Sequence, residues 1–227
     1  MNKLLHPSTL AAAIILVGTT GCGTNQVTTG LGEFAGRLYD VATNNTASDQ
    51  ARKMEDPYFP DERRDGIARL SNRTYGRSEP YTTRYQQIAQ TDDDFIVRAA
   101  AIRALNRARD DSATPIFVKG LTDKQPQIRL ESAKALANLP DSTAVPTLLR
   151  IVADTGENKD IRIAATDALK HYRKNEVARA LVSLLNDRDF GVSWQARESL
   201  RIITGRDLEY DEAAWLALLS GAENPLS

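Results

Sequence analysis

The feature of this sequence that most constrains its fold is a nine-residue segment that occurs four times. The copies align without gaps and are Val97–Leu105, Ile128–Leu136, Ile161–Leu169 and Val192–Leu200. Their starting points are 31, 33 and 31 residues apart. A segment that recurs at an interval of roughly 20–50 residues is typical of a chain built from stacked repeats, each of which buries its apolar face against its neighbours.

Each copy has the periodicity of an amphipathic helix. If its first residue is called position zero, that position is Val or Ile, positions four and seven are Ala or Ser, and position eight is always Leu. At roughly 100° per residue these positions form one apolar stripe. A weaker helix precedes each copy, and Pro115 and Pro146 mark the first turn of two of them. We therefore predict an all-α fold, a right-handed α-solenoid of about four helical hairpins with degenerate caps.

The repeat resembles that of a known family. Asp123 precedes Ile128-Arg129, and Ala135-Leu136 closes the same segment. This pattern is similar to HEAT repeats, in particular to the HEAT-like class also found in phycobilin lyases, and it extends over roughly residues 80–220. The resemblance implies a solenoid whose relatives range from scaffolds to subunits of lyases.

The resemblance also assigns a role to the arginine at position one, which is present in three copies and replaced by Ser193 in the fourth. In HEAT-like repeats this arginine pairs with an acid in the turn of its own or the adjacent repeat. A structural ladder of this kind is therefore implied, with the members Arg98, Arg129, Arg162, Asp93 and Asp123. Binding of an anionic ligand by the arginine column is the alternative, and the regular spacing favours the ladder.

The N-terminus has the layout of an export signal. Lys3 is followed by the apolar run Leu10–Val17, which is too short to span a bilayer, and then by small residues. The segment Thr19–Cys22 resembles a bacterial lipobox, which implies that the signal is cut before Cys22 and that Cys22 is lipidated. We expect a lipid anchor at the cell envelope, on the outer membrane or the periplasmic face of a bacterial membrane. The alternatives are a plain cleaved signal peptide and an unmodified cysteine.

These patterns divide the chain into five segments. Gly23–Gly32 carries no charge and is rich in Thr and Gly, as a flexible tether is. Glu62–Leu70 resembles a degenerate repeat helix, while Gly205 and Asp211 are placed to end the last repeat helix and to start a final one. The predicted segments are a signal peptide at 1–21, the lipidated Cys and tether at 22–52, a capping repeat at 53–79, HEAT-like repeats at 80–205, and a C-terminal capping helix and tail at 206–227. In that tail we expect Leu226 to be replaceable at almost no cost.

Composition and motifs disfavour most catalytic and metal chemistry. The net charge of −1 argues against a nucleic-acid binder, and a single Cys excludes a Cys-rich zinc site. Asp92–Asp94 resembles a calcium cluster only in composition, because consecutive carboxylates do not converge on one ion; we predict a helix N-cap there. His171 has no second His, Ser or Cys beside it in sequence. We therefore expect a monomeric, non-enzymatic protein without cofactor or metal.

The candidate site is the face of each repeat helix opposite the apolar stripe. Positions two, five, six and nine are expected to lie there, and position two is apolar where a plain surface would be polar. The predicted partner-binding residues are Leu130, Ile163 and Trp194 at the centre with Lys134, Lys170, Arg197 and Arg201 at the rim. Burial of this column between neighbouring helices is the alternative interpretation.

The leading functional hypothesis is a membrane-anchored envelope scaffold that binds a protein partner through its concave face. The alternative is an accessory subunit of an enzyme or of a tetrapyrrole-handling system, similar to HEAT-like lyase subunits. A third hypothesis, a DNA-base-binding HEAT-like fold, requires a basic groove and a cytosolic address, and the signal peptide argues against it.

Overall fold

The computed structural model describes residue 38, residues 46–221 and residues 225 and 226. The signal peptide, Cys22 and most of the predicted tether lie outside the described residues. Among the described residues there are eleven α-helices with defined bounds and no strand, so the predicted all-α class is confirmed. The helices are α1 Ala47–Met54, α2 Pro60–Ser71, α3 Tyr81–Thr91, α4 Phe95–Ala108, α5 Thr114–Gly120, α6 Pro126–Leu136, α7 Val145–Ala153, α8 Lys159–Leu169, α9 Asn175–Val182, α10 Phe190–Thr204 and α11 Glu212–Ser220.

The helices form a stack of antiparallel pairs. The pairs α3–α4, α5–α6, α7–α8 and α9–α10 correspond to the four predicted repeats, α1–α2 precedes them and α11 follows them. The second helices α2, α4, α6, α8 and α10 each pack closely against the next, whereas contacts between successive first helices are sparser. The second helices therefore form one continuous face of the stack, which we call the inner face or second-helix face.

The predicted apolar stripe is the core. At positions zero, four, seven and eight every residue of the four repeats is buried, including the leucines Leu105, Leu136, Leu169 and Leu200, which have no exposed surface. Small residues at positions four and seven let neighbouring helices come close: Gly120 of α5 lies directly over Ser132, and a Cβ there would be 2.1 Å from the Ser132 Oγ. The stripe therefore joins each first helix to its own second helix and to the rest of the array.

Local capping sets the helix ends. The Asp94 carboxylate accepts hydrogen bonds from the backbone N–H groups of Ile96 and Val97, at 2.7 and 3.2 Å, so the Asp92–Asp94 run provides the predicted N-cap. Gly205 ends α10 in the left-handed conformation with φ of 72°, as glycine does at many helix C-termini. Asp211 then caps α11, as predicted.

The N-terminal end departs from the sequence analysis. Helix α1 begins at Ala47, inside the segment assigned to the tether, and Thr46 and Asp49 form a reciprocal capping box at its start. Gly66 of α2 faces α1 so closely that a Cβ would lie 2.5 Å from the Met54 backbone nitrogen. The first cap is therefore a complete hairpin, because the close approach at Gly66 buries the apolar edge of a short polar helix.

The C-terminal tail also departs from expectation. Leu226 is half-buried and packs against the core, and Arg173 donates a hydrogen bond of 3.1 Å to the carbonyl oxygen of Pro225. The expectation that Leu226→Ala costs almost nothing assumed an unpacked tail, whereas Pro225 and Leu226 lie against the last repeats.

Candidate partner-binding face

The position-two column changes from buried to exposed along the solenoid. Ala99 in α4 is 3 % exposed, Leu130 in α6 and Ile163 in α8 are half-buried, and Trp194 in α10 is 46 % exposed. The cause is stacking: the first turn of α10 lies over Ile163, and a Cβ on Gly191 would be 2.7 Å from the Ile163 Cδ1. No second helix among the described residues follows α10, so Trp194 stays uncovered.

A second aromatic side chain that the sequence analysis missed lies beside Trp194. Phe190 is 71 % exposed and precedes Trp194 by four residues, which places both on one face of α10. Ile202, near the end of the same helix, is 53 % exposed. Phe190 lies two residues before position zero and outside the aligned segment, but its i, i+4 spacing from Trp194 is a sequence signal that identifies the pair. We call Phe190 and Trp194 the aromatic pair.

Position five was assigned wrongly to the open face. Ile102, Ala133 and Thr166 at this position are buried. At one of these positions the next second helix makes a direct contact: the Ser199 hydroxyl of α10 donates a hydrogen bond of 2.9 Å to the Thr166 carbonyl oxygen of α8. A second helix in the middle of the stack packs against the second helices before and after it as well as against its own hairpin partner. Fewer of its positions are therefore exposed than in an isolated hairpin.

Arg197, at position five of the last repeat, therefore lies at the end of the solenoid and not on the predicted rim. Its guanidinium donates to the Asp207 carboxylate at 2.8 and 3.0 Å and lies over the Tyr210 ring, 5.4 Å from its centre. Hydrogen bonding to Asp207 raises the pKa of Arg197, and the same bond lowers the pKa of Asp207. Arg197 thus fastens the segment between α10 and α11.

The other predicted rim cations are each paired with an acid one turn earlier on their own helix. Lys170 lies 2.7 Å from Asp167, and Arg201 lies 2.7 Å from Glu198. Lys134 lies 3.6 Å from Glu131. The side chains of Lys134 and Arg201 are about half exposed and that of Lys170 is 24 % exposed, so an approaching anionic group reaches the first two more easily.

Glu131 has a second role that links repeats. Its carboxylate is buried and also accepts hydrogen bonds from Arg103 of α4, at 2.8 and 3.1 Å. Hydrogen bonding to Glu131 raises the pKa of Arg103. The Arg103–Glu131 ion pair therefore links α4 to α6 across the inner face.

The arginine column forms a ladder across the turns, with partners that differ from the predicted ones. Arg129 binds the Glu157 carboxylate at 2.7 and 2.8 Å, and Arg162, which is buried, binds Asp187 at 2.5 and 3.2 Å. Arg63 of α2 binds Asp92 in the same way, at 2.8 and 2.9 Å. Hydrogen bonding to these arginines lowers the pKa of Glu157 and of Asp187.

The predicted acids Asp93 and Asp123 contribute carbonyl oxygens instead of carboxylates. Arg98 donates to the Asp93 carbonyl at 3.3 Å, and Arg129 donates to the Asp123 carbonyl at 2.9 Å. The Asp93 side chain is exposed, while the Asp123 carboxylate accepts the backbone N–H of Gln125 at 2.8 Å. The predicted arginines therefore line the turns, whereas the acids of the ladder are Asp92, Glu157 and Asp187 and not the predicted Asp93 and Asp123.

Two further properties of the described residues bear on function. The described residues contain no group of three or more His, Cys, Asp or Glu side chains placed to hold a metal ion. None of the described helices is long and apolar enough to cross a bilayer. Among the described residues, Phe190 and Trp194 are both exposed large hydrophobic side chains.

Comparisons with known proteins agree with this architecture. A family model described as HEAT repeats matches residues 84–157. The crystal structure of an engineered protein is similar with a TM-score of 0.57 and 18 % sequence identity, over 79 % of this chain and 91 % of that one. A designed armadillo repeat protein is similar with a TM-score of 0.59 and 15 % identity, over 80 % of this chain and 95 % of that one. No curated protein matches the chain. At these identities the likeness establishes the fold, an α-solenoid similar to HEAT and armadillo repeat proteins.

Proposed function

We propose that the chain is a lipid-anchored scaffold of the cell envelope that binds a protein partner through its second-helix face, with the aromatic pair as the anchor. The observation on which this rests is the exposure of Phe190 and Trp194 side by side on α10. Large aromatic side chains left in water on a rigid element are typical of interaction surfaces, since they offer much apolar area at a small cost in side-chain entropy.

The surroundings of the aromatic pair suit a protein interface. Arg201 lies two turns after Trp194 on the same face of α10, and Glu198 is beside it. An apolar centre with a charged rim is the usual anatomy of such an interface. The fold supports the same conclusion, because a solenoid presents an extended surface along its inner face and places its polar backbone inside helices.

Membrane attachment is the part of the proposal that the sequence supports alone. Cys22 follows Gly21 directly after the signal, and acylation there provides the two or more chains that stable anchoring requires. Cys22→Ser should release the protein from membranes into the soluble fraction. Unchanged fractionation, with no lipid mass on the N-terminal peptide, would contradict this half of the proposal.

Partner binding is tested by affinity capture from solubilised membranes followed by mass spectrometry. Trp194→Ala should weaken capture of any specific partner by about 2 kcal/mol, the scale of an interface hot spot. Phe59→Ala is the matched control, because Phe59 is also an exposed aromatic, 62 % accessible, but lies at the opposite end of the solenoid. Equal capture by both variants would show that the aromatic pair is not the binding site.

The identity of the captured molecule separates the scaffold from the alternative role. An enzyme or a tetrapyrrole-handling complex that co-purifies in fixed ratio, with activity that depends on this chain, would support the accessory-subunit hypothesis. A structural envelope protein would support the scaffold. That the chain has no enzymatic activity of its own remains a prediction.

A further inference from the structure

Arg98 differs from the other ladder arginines. Arg63 and Arg129 each use the Nε and Nη2 atoms to bind a carboxylate of the next repeat, at 2.7–2.9 Å. Arg98 uses only Nη1, which donates to the carbonyl oxygens of Asp92 and Asp93 at 2.8 and 3.3 Å. Its Nε and Nη2 have no acceptor within the part of the chain that the structure describes. Between the first and second repeats, the Nε and Nη2 edge of the ladder arginine is therefore not bound to a carboxylate of the described residues.

The guanidinium of Arg98 is held in the pose of its counterpart in the next repeat. Arg129 also directs Nη1 to the carbonyl oxygens six and five residues before it, at 2.9 and 3.2 Å, while its other edge binds Glu157. The same two backbone bonds orient Arg98. A preorganised donor pair costs less side-chain entropy to engage than a freely rotating one. The Arg129–Glu157 pair therefore shows, one repeat later, how a carboxylate binds to this edge of the guanidinium.

Arg98 lines a cleft between the first two repeats. The cleft has a volume of about 280 Å³ and lies between α3, α4, α5 and the start of α6. Its walls include the apolar side chains of Ile102, Ile116 and Ile128, and Lys119 adds a second cation. Related clefts occur beside Arg63 and beside Glu157, the partner of Arg129, but there the ladder arginine and its acid already form an ion pair.

We propose that this cleft binds a carboxylate that carries a short apolar group, with the carboxylate on Nε and Nη2 of Arg98. The planar fork of arginine matches the two oxygens of a carboxylate, and charge-assisted bonds of this geometry are among the strongest hydrogen bonds in proteins. Lys119 adds attraction for the same charge, and the three isoleucines cover the apolar group. A cleft of this size suits a small ligand, either a free aliphatic acid or an acidic group of a bound polypeptide, since both supply the same chemistry.

Asp123 is the rival occupant within the chain itself. It lies five residues before position zero, as Asp92 and Asp187 do, and those two acids bind the preceding ladder arginine. Asp123 lines the same cleft as Arg98 but forms no ion pair with it; its carboxylate accepts the Gln125 N–H. The experiment must therefore separate an external carboxylate from Asp123.

The test uses the full-length protein and hexanoate as the probe. Hexanoate should shift the Arg98 Nε–H resonance in nuclear magnetic resonance spectra in a saturable manner and leave the Arg129 resonance in place. Hexanol and hexylamine, which have the same chain without a carboxylate, should not bind. Arg98→Lys keeps the charge but removes the fork, and it should weaken hexanoate binding by about tenfold or more, as expected for a lost bond to a charged group. Arg129→Lys, at an interval closed by Glu157, is the matched control and should bind hexanoate as the wild type does.

Further experiments identify the source of the carboxylate and define the results that would contradict the proposal. A blocked peptide with Glu beside Leu, compared with its Gln counterpart, tests a polypeptide source; binding of the Glu peptide without binding of hexanoate assigns the site to a partner's acidic side chain. Binding of neither probe to the wild type overturns the proposal. Hexanoate binding that appears only after Asp123→Asn also overturns it, because the chain's own acid then occupies Arg98. Capture through Trp194 is independent of all these outcomes.

Discussion

The two faces of the second helices follow different rules. On the face that packs against the first helices, position eight is Leu in all four repeats and is fully buried in each. On the inner face, position two changes residue in every repeat and passes from a buried Ala99 to a largely exposed Trp194. A closely packed buried site accepts few side chains, so position eight stays Leu. A position that is exposed to solvent can carry different residues from repeat to repeat. The variable face is therefore where this chain differs from a generic repeat protein.

The two tryptophans give the largest contrast between these environments. Trp215 of α11 is fully buried and donates its indole N–H to the Glu209 carbonyl oxygen at 3.1 Å, whereas Trp194 is 46 % exposed. Trp215→Ala should lower the free energy of unfolding by about 3–5 kcal/mol, and Trp194→Ala by less than about 1 kcal/mol. Denaturant unfolding of both variants measures the difference. Similar losses at the two sites would mean that Trp194 is a core residue and that the inner face has no aromatic anchor.

Replacement of the leucines at position eight should lower stability by similar amounts in different repeats. Leu136→Ala and Leu169→Ala should each cost about 2–5 kcal/mol, because both remove buried methyl groups from a site that cannot collapse fully. Leu226→Ala should cost less, since Leu226 is only half-buried, but more than an unpacked tail residue would. Chemical denaturation checks all three. A negligible effect at Leu136 or Leu169 would contradict the assignment of the stripe.

The buried ladder pair tests how far electrostatics hold the repeats in register. Asp187→Asn leaves the buried guanidinium of Arg162 without its counterion and should cost about 3 kcal/mol near neutral pH. Because hydrogen bonding to Arg162 lowers the folded-state pKa of Asp187, the stabilisation is complete above the unfolded-state pKa of about 4 and is lost as the pH falls below it. The difference between wild type and variant should therefore shrink in acid, as unfolding curves across this pH range will measure. A difference that stays constant down to low pH would show that the ion pair contributes nothing.

The smallest expected effect lies in the stripe itself. Ser132 occupies position four, where the other repeats have Ala101, Ala165 and Ala196, and its buried hydroxyl has no hydrogen-bond partner among the described residues. Ser132→Ala should therefore stabilise the protein by about 1 kcal/mol, since it removes an unsatisfied polar group. Thermal and denaturant unfolding are the measurements. Destabilisation would indicate that the hydroxyl is bonded in solution.

Much of the fold could be predicted from the sequence because repetition tests each assignment several times. The apolar stripe, the Asp94 and Asp211 caps and the Gly205 helix end depend on residues within a few positions of each other, and local geometry alone specifies them. Helix α2 was predicted from Glu62–Leu70, but helix α1 was missed because it lacks the repeat pattern; its evidence is the capping box at Thr46 and the close approach at Gly66.

The candidate site was predictable only in part. Trp194 could be placed on the correct face from helical periodicity, and the structure adds Phe190 to it. Arg197 was placed on the rim because one helix viewed alone has no neighbours; the stack instead leaves it against Asp207 at the end of the solenoid. Which acids join the ladder depends on which turn lies close to which arginine. That distance between repeats cannot be read from the spacing of residues in the sequence.

The sequence by itself determined that the chain is helical and that its repeats share one buried stripe, because both follow from the periodicity of a single helix. The resemblance to HEAT repeats added which arginines line the turns. Only the tertiary structure decided which part of the opposite face is exposed. Successive second helices cover position five completely and position two by degrees, until α10, where no further second helix among the described residues covers Trp194. Whether a side chain is exposed depends on whether a neighbouring helix covers it. The packing of the repeats on one another, rather than the sequence of one repeat, therefore decides where the candidate site lies.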